Sequence, residues 1–543
     1  MITPLERSMM GRDKPFLGIL IFIAFFTCFS LLGYGFFSID EESYTYLTRA
    51  VVEKGQFHFE TDYPKTHSDL NRVHLSIVSE EKVYSVFPPG YPFLAAPFYL
   101  FFGIKGMQIA NVFFTVLLVI TFYFLVRRYY TETDAFIASI VLLIGTQALN
   151  YSVSLWSHIP AAFFILISLY LLFKERSIWG GLTLGAGVVV RYSGVVLAPI
   201  FLAYLYTKNK KGIPGFLAAM LIGIAPLLFY NYVSFGSPFT SGMTILNAEE
   251  GYKAVNILRI PKNVVTNIFH YTFFPELEFM PDKGSLIETS PFLVFAILGA
   301  YIFWREKKDK RAEFYTIVAS VLVFILFTSG TWSLGGLAHN MRLLTDIIPL
   351  IAFLAVIPLF HLKPDYKKTT VGSFVVAGLF YIYKPSFEWT KFYNLLLAAV
   401  ALIAILAVLF LRKDLSSRFW KGVLSMLFVL AVGMSIFTAV STTKEEGANR
   451  KSVRAASEAF ENVVPESSVI FIFGGEYPTY TTKNYLFLDY RYAPEDIPQV
   501  VEYYKDRPIY VIFKDERSEE KFSHFQLAPA GPIRTYTVDV KQD

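Results

Sequence analysis

Long apolar runs separated by short polar stretches dominate this chain. They fall at about 15–37, 106–126, 134–149, 158–173, 178–190, 194–207, 213–231, 291–304, 314–329, 342–360, 370–383, 392–411 and 421–440. A perpendicular α-helical span needs ~20 apolar residues, and several of these runs are shorter, so about 11–13 spans are expected. The runs 178–190 and 194–207 could form one long helix or two short ones. Phe93 to Phe102 is too short to cross and reads as a re-entrant or interfacial helix. Tyr44 to Val52 places Tyr44, Leu47, Ala50 and Val51 along one side, the pattern of an amphipathic segment on the membrane surface. Val255 to Phe273 mixes apolar and basic residues and reads the same way.

After Ser441 the pattern changes. Ser468 to Phe473 and Ile509 to Phe513 read as strands, Lys451 to Glu461 and Ile497 to Lys505 as helices. The expected fold class is therefore mainly α. A polytopic membrane helical bundle occupies 1–440, with long loops at 38–105 and 234–290, and a small soluble α/β domain occupies 441–543.

Composition supports this division. Of 543 residues, 54% are hydrophobic and 17% charged, and the mean hydropathy is +0.45. The net charge of +5 does not point to nucleic acid, because Lys and Arg cluster between the apolar runs. Arg127 and Arg128, Lys174 and Arg176, Lys208 to Lys211, Arg305 to Arg311, Lys363 to Lys368 and Arg412 to Lys421 all fall on one side if the N-terminus is cytoplasmic and 178–207 is split. That topology sends the loops 38–105 and 234–290, the segments 150–157 and 331–341, and everything after Ser441 outside. The chain is then a multi-pass cell-membrane protein with an extracytoplasmic C-terminal domain. The first run is long and lacks a small-residue cleavage site, so it is expected to stay as an anchor. Cys28 is the one cysteine, which leaves no thiolate metal site and no disulfide within the chain.

The unusual polar motifs all lie in the outside segments. Asp40, Glu41 and Glu42 follow the first run directly, and carboxylates there belong in water or a polar cavity. Locally, Asp40 as an N-cap with two first-turn acids explains the triplet equally well. The histidines of the first loop, His58, His67 and His74, have no zinc-site spacing. Phe87-Pro88-Pro89-Gly90-Tyr91-Pro92 is a rigid turn. In Trp156-Ser157-His158-Ile159-Pro160, Ser157 suits an N-cap and His158 enters the first turn of a span. Arg191 lies between two short spans. Arg342 stands at the start of another, where a cation opposes the helix dipole and needs a partner; a phosphate would serve.

Outside carboxylates, polar helix ends and two arginines at the lipid boundary suit sugar transfer from a polyprenyl-phosphate donor. A carboxylate acts as base on the acceptor hydroxyl with inversion, and cations stabilise the leaving phosphate. A lipid-linked sugar transporter or flippase, or a membrane-anchored glycan-binding protein, are the alternatives. The former calls for mid-membrane charges and an internal repeat, neither of which stands out, and the C-terminal segment shows no recognisable site.

The order of motifs also resembles a family. Asp40-Glu41-x-x-Tyr44, Pro89-Gly90-Tyr91-Pro92, Asn231-Tyr232-x-x-Phe235-Gly236-Ser237-Pro238, Gly284-x-Leu286 with Ser290-Pro291, and Arg342-Leu343-Leu344 followed by Pro349 resemble the GT-C glycosyltransferases. The branch is that of the protein O-mannosyltransferases and lipid A aminoarabinose transferases, and the likeness covers roughly 15–360. It implies Asp40 as catalytic base with Glu41 beside it. It also implies Arg342, and more loosely Arg191, as contacts of the donor phosphate. His158, Tyr44, Tyr91 and His339 line the same site. His158 stands where many relatives carry a second acid, so a divalent metal held by His158 and Glu41 is an open option. Phe87 replaces a lysine of the aminoarabinose branch, which argues for a different donor. The implied partners are the bilayer, a polyprenyl-phosphate sugar donor and a protein, lipid or glycan acceptor, with no nucleic acid.

Overall fold

The computed structural model describes residues 4–35, 38–60, 76–79, 82–249, 260–273, 284–330, 341–362, 366–410, 418–465, 468–473, 486–489, 501–502, 505–513, 526–531 and 535–539. The first helix is α1 (Pro4–Ser30). A short loop leads to α2 (Ile39–Arg49), and strands β1 (Phe59–Glu60), β2 (Ser76–Ser79) and β3 (Lys82–Ser85) form a small sheet in the order β1-β3-β2. Next come α3 (Gly90–Phe102), α4 (Ile104–Arg127), α5 (Glu132–Gly145), the single turn α6 (Ala148–Ser152), α7 (His158–Phe173) and α8 (Ser177–Val190). They are followed by α9 (Ala198–Lys208) and α10 (Ile213–Phe235).

The second half holds α11 (Gly242–Glu249), α12 (Ile260–Thr272), α13 (Leu286–Thr289), α14 (Ala296–Glu306) and α15 (Arg311–Ser329). The bundle closes with α16 (Ile348–Leu362), α17 (Tyr366–Tyr383), α18 (Phe387–Phe410) and α19 (Arg418–Val463). Seven helices among the described residues are long and apolar enough to cross a membrane, and shorter apolar helices pack between them. The protein is a multi-pass helical bundle.

Each apolar run has a helix at its place. The 178–207 run is broken, because α8 ends at Val190 and a 3-10 helix, Tyr192–Leu197, precedes α9. Local chemistry fixes many ends. Thr131 and Asp134 form a capping box at α5, and Ser285 and Glu288 do the same at α13. Gly236, at φ 73°, stops α10 in the left-handed region. Helices α8 and α10 meet backbone to backbone: a Cβ on Gly181 would lie 2.1 Å from the Phe216 carbonyl oxygen. Small residues four apart allow such contact in membrane helices.

One expectation fails. Helix α2 is no surface segment, since every described residue from Asp40 to Ala50 is buried except Tyr46 and Arg49, which are half-buried. The Thr45 and Thr48 hydroxyls donate to the Glu41 and Tyr44 carbonyls, so these polar positions can be buried at low cost. Of the segment 255–273, the described part is α12, which buries Val264 and Tyr271 while exposing Val265 and Phe269.

The composition change at residue 441 coincides with no break in the backbone, because α19 continues to Val463. Lys451 to Glu461 belong to it. Beyond lies a five-stranded sheet of β4 (Val469–Phe473), β5 (Leu486–Asp489), β6 (Ile509–Phe513), β7 (Gln526–Gly531) and β8 (Thr535–Asp539), in the order β5-β4-β6-β8-β7. β5, β4 and β6 run parallel, while β8 and β7 join antiparallel. Pro529 sits in β7, an edge strand, where a missing N–H is tolerated. The expected helix at 497–505 lies mostly outside the described residues.

Candidate active site

One end of the bundle gathers the ends of α1, α4, α6, α7, α8 and α16 against an inner turn of α19. The loop before α7 is held from below: Gln108 Nε2, on α4, donates to the carbonyls of Gly33 (3.1 Å) and Val153 (2.7 Å). Asn111 Nδ2 donates to those of Ser154 and Trp156, both at 2.8 Å. These buried amides satisfy loop carbonyls that would otherwise be costly at membrane depth.

Ser38, not Asp40, is the residue preceding α2. Its hydroxyl accepts a bond from Trp156 Nε1 (2.8 Å) instead of capping the helix. Asp40 therefore lies in the first turn, and its carboxylate meets Arg342 at 2.5 Å. The Arg342 guanidinium lies 5.1 Å from the Trp156 ring centroid, a cation–π contact that fixes its orientation. The cation at the start of the 3-10 helix Arg342–Ile347 thus has its partner in Asp40.

Glu41 points the other way and is buried. Its Oε1 accepts from the Leu155 backbone N–H (2.9 Å) and its Oε2 from Arg450 Nη1 (2.6 Å). Around Asp346 a second cluster forms. His158 Nδ1 is 2.9 Å from Oδ1, while Arg191 Nε (3.0 Å) and Ser193 Oγ (2.9 Å) donate to Oδ2. Arg191 Nη1 also donates to Ser157 Oγ (3.3 Å), and Ser157 bonds the Tyr44 hydroxyl at 2.9 Å. Ser157 makes no cap bond, because its hydroxyl is used here. Burial pushes the Tyr44 hydroxyl up to about 12, partly offset by Arg191 and the Ser157 bond, so Tyr44 stays neutral at pH 7. Tyr44 stacks on Phe87 (4.9 Å) and meets the edge of Tyr91 (5.3 Å), whose own hydroxyl donates to the Met107 carbonyl.

The Pro-Pro-Gly turn has a geometric reason. A Cβ on Gly90 would lie 2.5 Å from Val189 and Val190 backbone atoms, so α3 reaches α8 directly beside Arg191. His339 lies outside the described residues.

Accessibility separates these groups. Side-chain exposure is 12% for Asp40, 14% for Arg342 and 19% for Arg191, against 0% for Asp346 and Glu41. The first three can touch a ligand; the others hold them in place. No group of three His, Cys, Asp or Glu suited to a metal ion occurs among the described residues. The Glu41 oxygens already accept from Leu155 and Arg450, and His158 Nδ1 is on Asp346. The Glu41 and His158 donor atoms, engaged in these bonds, do not fit a divalent ion.

The sequence reading missed Asp346, Trp156, Ser193 and Arg450. Asp346 had a signal: it is the lone acid inside an apolar run, one turn after Arg342.

No family model matches the sequence, and no curated protein matches it significantly. The structure is similar to ArnT from Cupriavidus metallidurans bound to undecaprenyl phosphate, with a TM-score of 0.61 and 13% identity over 96% of this chain and 97% of that one. It is also similar to the apo state of that protein, with a TM-score of 0.58 and 14% identity over 98% of each chain. The chain therefore shares the fold of that protein. The likeness runs the whole length of the chain, including the segment after α19, and so extends past the 15–360 region that carries the motifs.

Proposed function

We propose that this protein is a membrane glycosyltransferase that moves a sugar from a polyprenyl-phosphate donor to an acceptor on the extracytoplasmic face. One observation carries the reading: within the fold shared with ArnT, Asp40 and Arg342 form an accessible carboxylate–guanidinium pair with Arg191 nearby. The undecaprenyl phosphate bound by ArnT supports the choice of donor class.

In this reading Arg342 and Arg191 take the donor phosphate, since guanidinium forks onto phosphate oxygens. The phosphate competes with Asp40 for Arg342. Asp40 then accepts the proton of the acceptor hydroxyl as its oxygen attacks the anomeric carbon. The bond from that carbon to the phosphate oxygen breaks, its electron pair leaves with the lipid phosphate, and the sugar is inverted. Tyr44 and Tyr91 wall the site. Glu41 and His158 act as positioning groups. The acceptor is a protein, lipid or glycan. The segment after α19, proposed as an extracytoplasmic domain, stands on the acceptor's side.

The test compares cell-envelope glycans and glycoproteins by mass spectrometry in a strain lacking the gene and in the same strain carrying wild-type or Asp40→Asn protein. A glycan restored by wild type and absent with Asp40→Asn is expected. Restoration by both would remove Asp40 as the base.

A further inference from the structure

Arg450 lies about 400 residues from the acidic corner, beyond the apolar part of α19, and yet is among the largest fully buried side chains of the molecule. Its Nη1 donates to Glu41 Oε2 at 2.6 Å and to the Gly35 carbonyl at 3.2 Å. Glu446, one turn earlier on α19, stands 4.0 Å from Nη2. The backbones meet here as well. A Cβ on Gly33 would lie 2.4 Å from the Gly447 carbonyl oxygen. One on Gly35, whose φ is +148°, would lie 2.1 Å from that of Arg450. The loop between α1 and α2 is thus pressed onto one turn of α19.

We propose that Arg450 is a positioning residue for Asp40. It grips Glu41, the residue next to Asp40, and the loop that delivers α2, while the Leu155 N–H grips the other Glu41 oxygen. Glu41 is held from two sides, so the first turn of α2 has one rotational setting, and in that setting Asp40 faces Arg342. Misplacement of a reacting group by about 1 Å costs on the order of a hundredfold in rate. The inference rests on the reading of Asp40 as the base.

The experiment uses full-length protein. Purified variants are added to membrane vesicles from the strain lacking the gene, which supply donor and acceptor, and product formation is followed by mass spectrometry. Binding of undecaprenyl phosphate and the thermal midpoint are measured alongside. Arg450→Ala is expected to lower the maximal rate about ten- to a hundredfold, while undecaprenyl phosphate binding stays within about threefold, because Arg342 and Arg191 are untouched. Arg450→Lys keeps a cation opposite Glu41 and is expected to recover most of the rate. Glu41→Gln should match Arg450→Ala, and the double variant should be little worse than either, since both act through one contact.

Should Arg450→Ala not fold, the neutral pair Glu41→Gln with Arg450→Met, combined with Glu446→Gln, leaves none of these three buried groups charged. It should fold with the same loss of rate. A wild-type rate in Arg450→Ala or in the neutral variant would overturn the inference, as would a loss of undecaprenyl phosphate binding equal to the loss of rate. Asp40→Asn runs in parallel. If it is active, the reading of Asp40 fails. If it is inactive while Arg450→Ala is fully active, the positioning role alone fails.

Discussion

Asp40 and Arg342 are joined before any substrate arrives, and this has a measurable consequence. A phosphate and a carboxylate compete for one guanidinium, so Asp40→Asn should bind undecaprenyl phosphate at least as tightly as wild type while transfer falls by about 10²–10⁴. Arg342→Ala should do the reverse to binding, weakening it about ten- to a hundredfold, as expected for a lost charged hydrogen bond of ~1.5–3 kcal/mol. Titration of each variant with undecaprenyl phosphate separates the two. Asp346 plays a different part. It is fully buried between His158 and Arg191, so Asp346→Ala leaves Arg191 without its carboxylate and should cost about 3–5 kcal/mol of stability, read as a lowered thermal midpoint.

Among the helices, the contact of the α1–α2 loop with α19 is asymmetric. A methyl group on Gly33 collides with the Gly447 carbonyl, but one on Gly447 meets nothing closer than 3.6 Å. Gly33→Ala should therefore destabilise the protein by about 1–3 kcal/mol. Gly447→Ala, in mid-helix, should be neutral or stabilising by about 0.5–1 kcal/mol. Thermal denaturation in detergent checks both.

The helices themselves were legible in the sequence because lipid demands long apolar runs, and even the break at Arg191 followed from the placement of Lys208 to Lys211. Much of the candidate site was legible, from the accessible Asp40, Arg342 and Arg191 to the buried Glu41, Tyr44, Tyr91 and His158. Asp40 and Arg342 stand at the ends of apolar runs, where charge is conspicuous. Arg450 does not: it sits in a charged helical tail indistinguishable by pattern from a solvated face, and its partner is 409 positions away. Helix α2 was misread for a related reason. Thr45 and Thr48 look polar in sequence, but their bonds to carbonyls one turn back leave little to expose.

For the whole molecule, polar contacts gather at both ends of the bundle. Opposite the site, Arg127 pairs with Asp13 and Glu132, and Arg128 with Glu313. The proposed topology puts these basic residues on the cytoplasmic side and the candidate site outside. The buried Cys28 makes a test simple, since it is the one cysteine of the chain. Cysteines introduced at Lys451 and Lys505 should react with a membrane-impermeant maleimide in intact cells, while one at Lys308 should react only after permeabilisation. The opposite result would invert the topology.

The bond between Glu41 and Arg450 also sets a timetable. Glu41 enters the bilayer region near the start of synthesis, and its cation follows 409 residues later. At ~5–20 residues per second the wait is roughly 20–80 s. During that time the carboxylate has no Arg450 to close on, so the acidic corner cannot settle into its final setting. If Arg450 positions Asp40 as proposed, a ribosome-bound or truncated chain ending before α19 would carry Asp40, Arg191 and Arg342 and still be silent. In the proposed mechanism, a late helix is the latch that arms the first turn of α2.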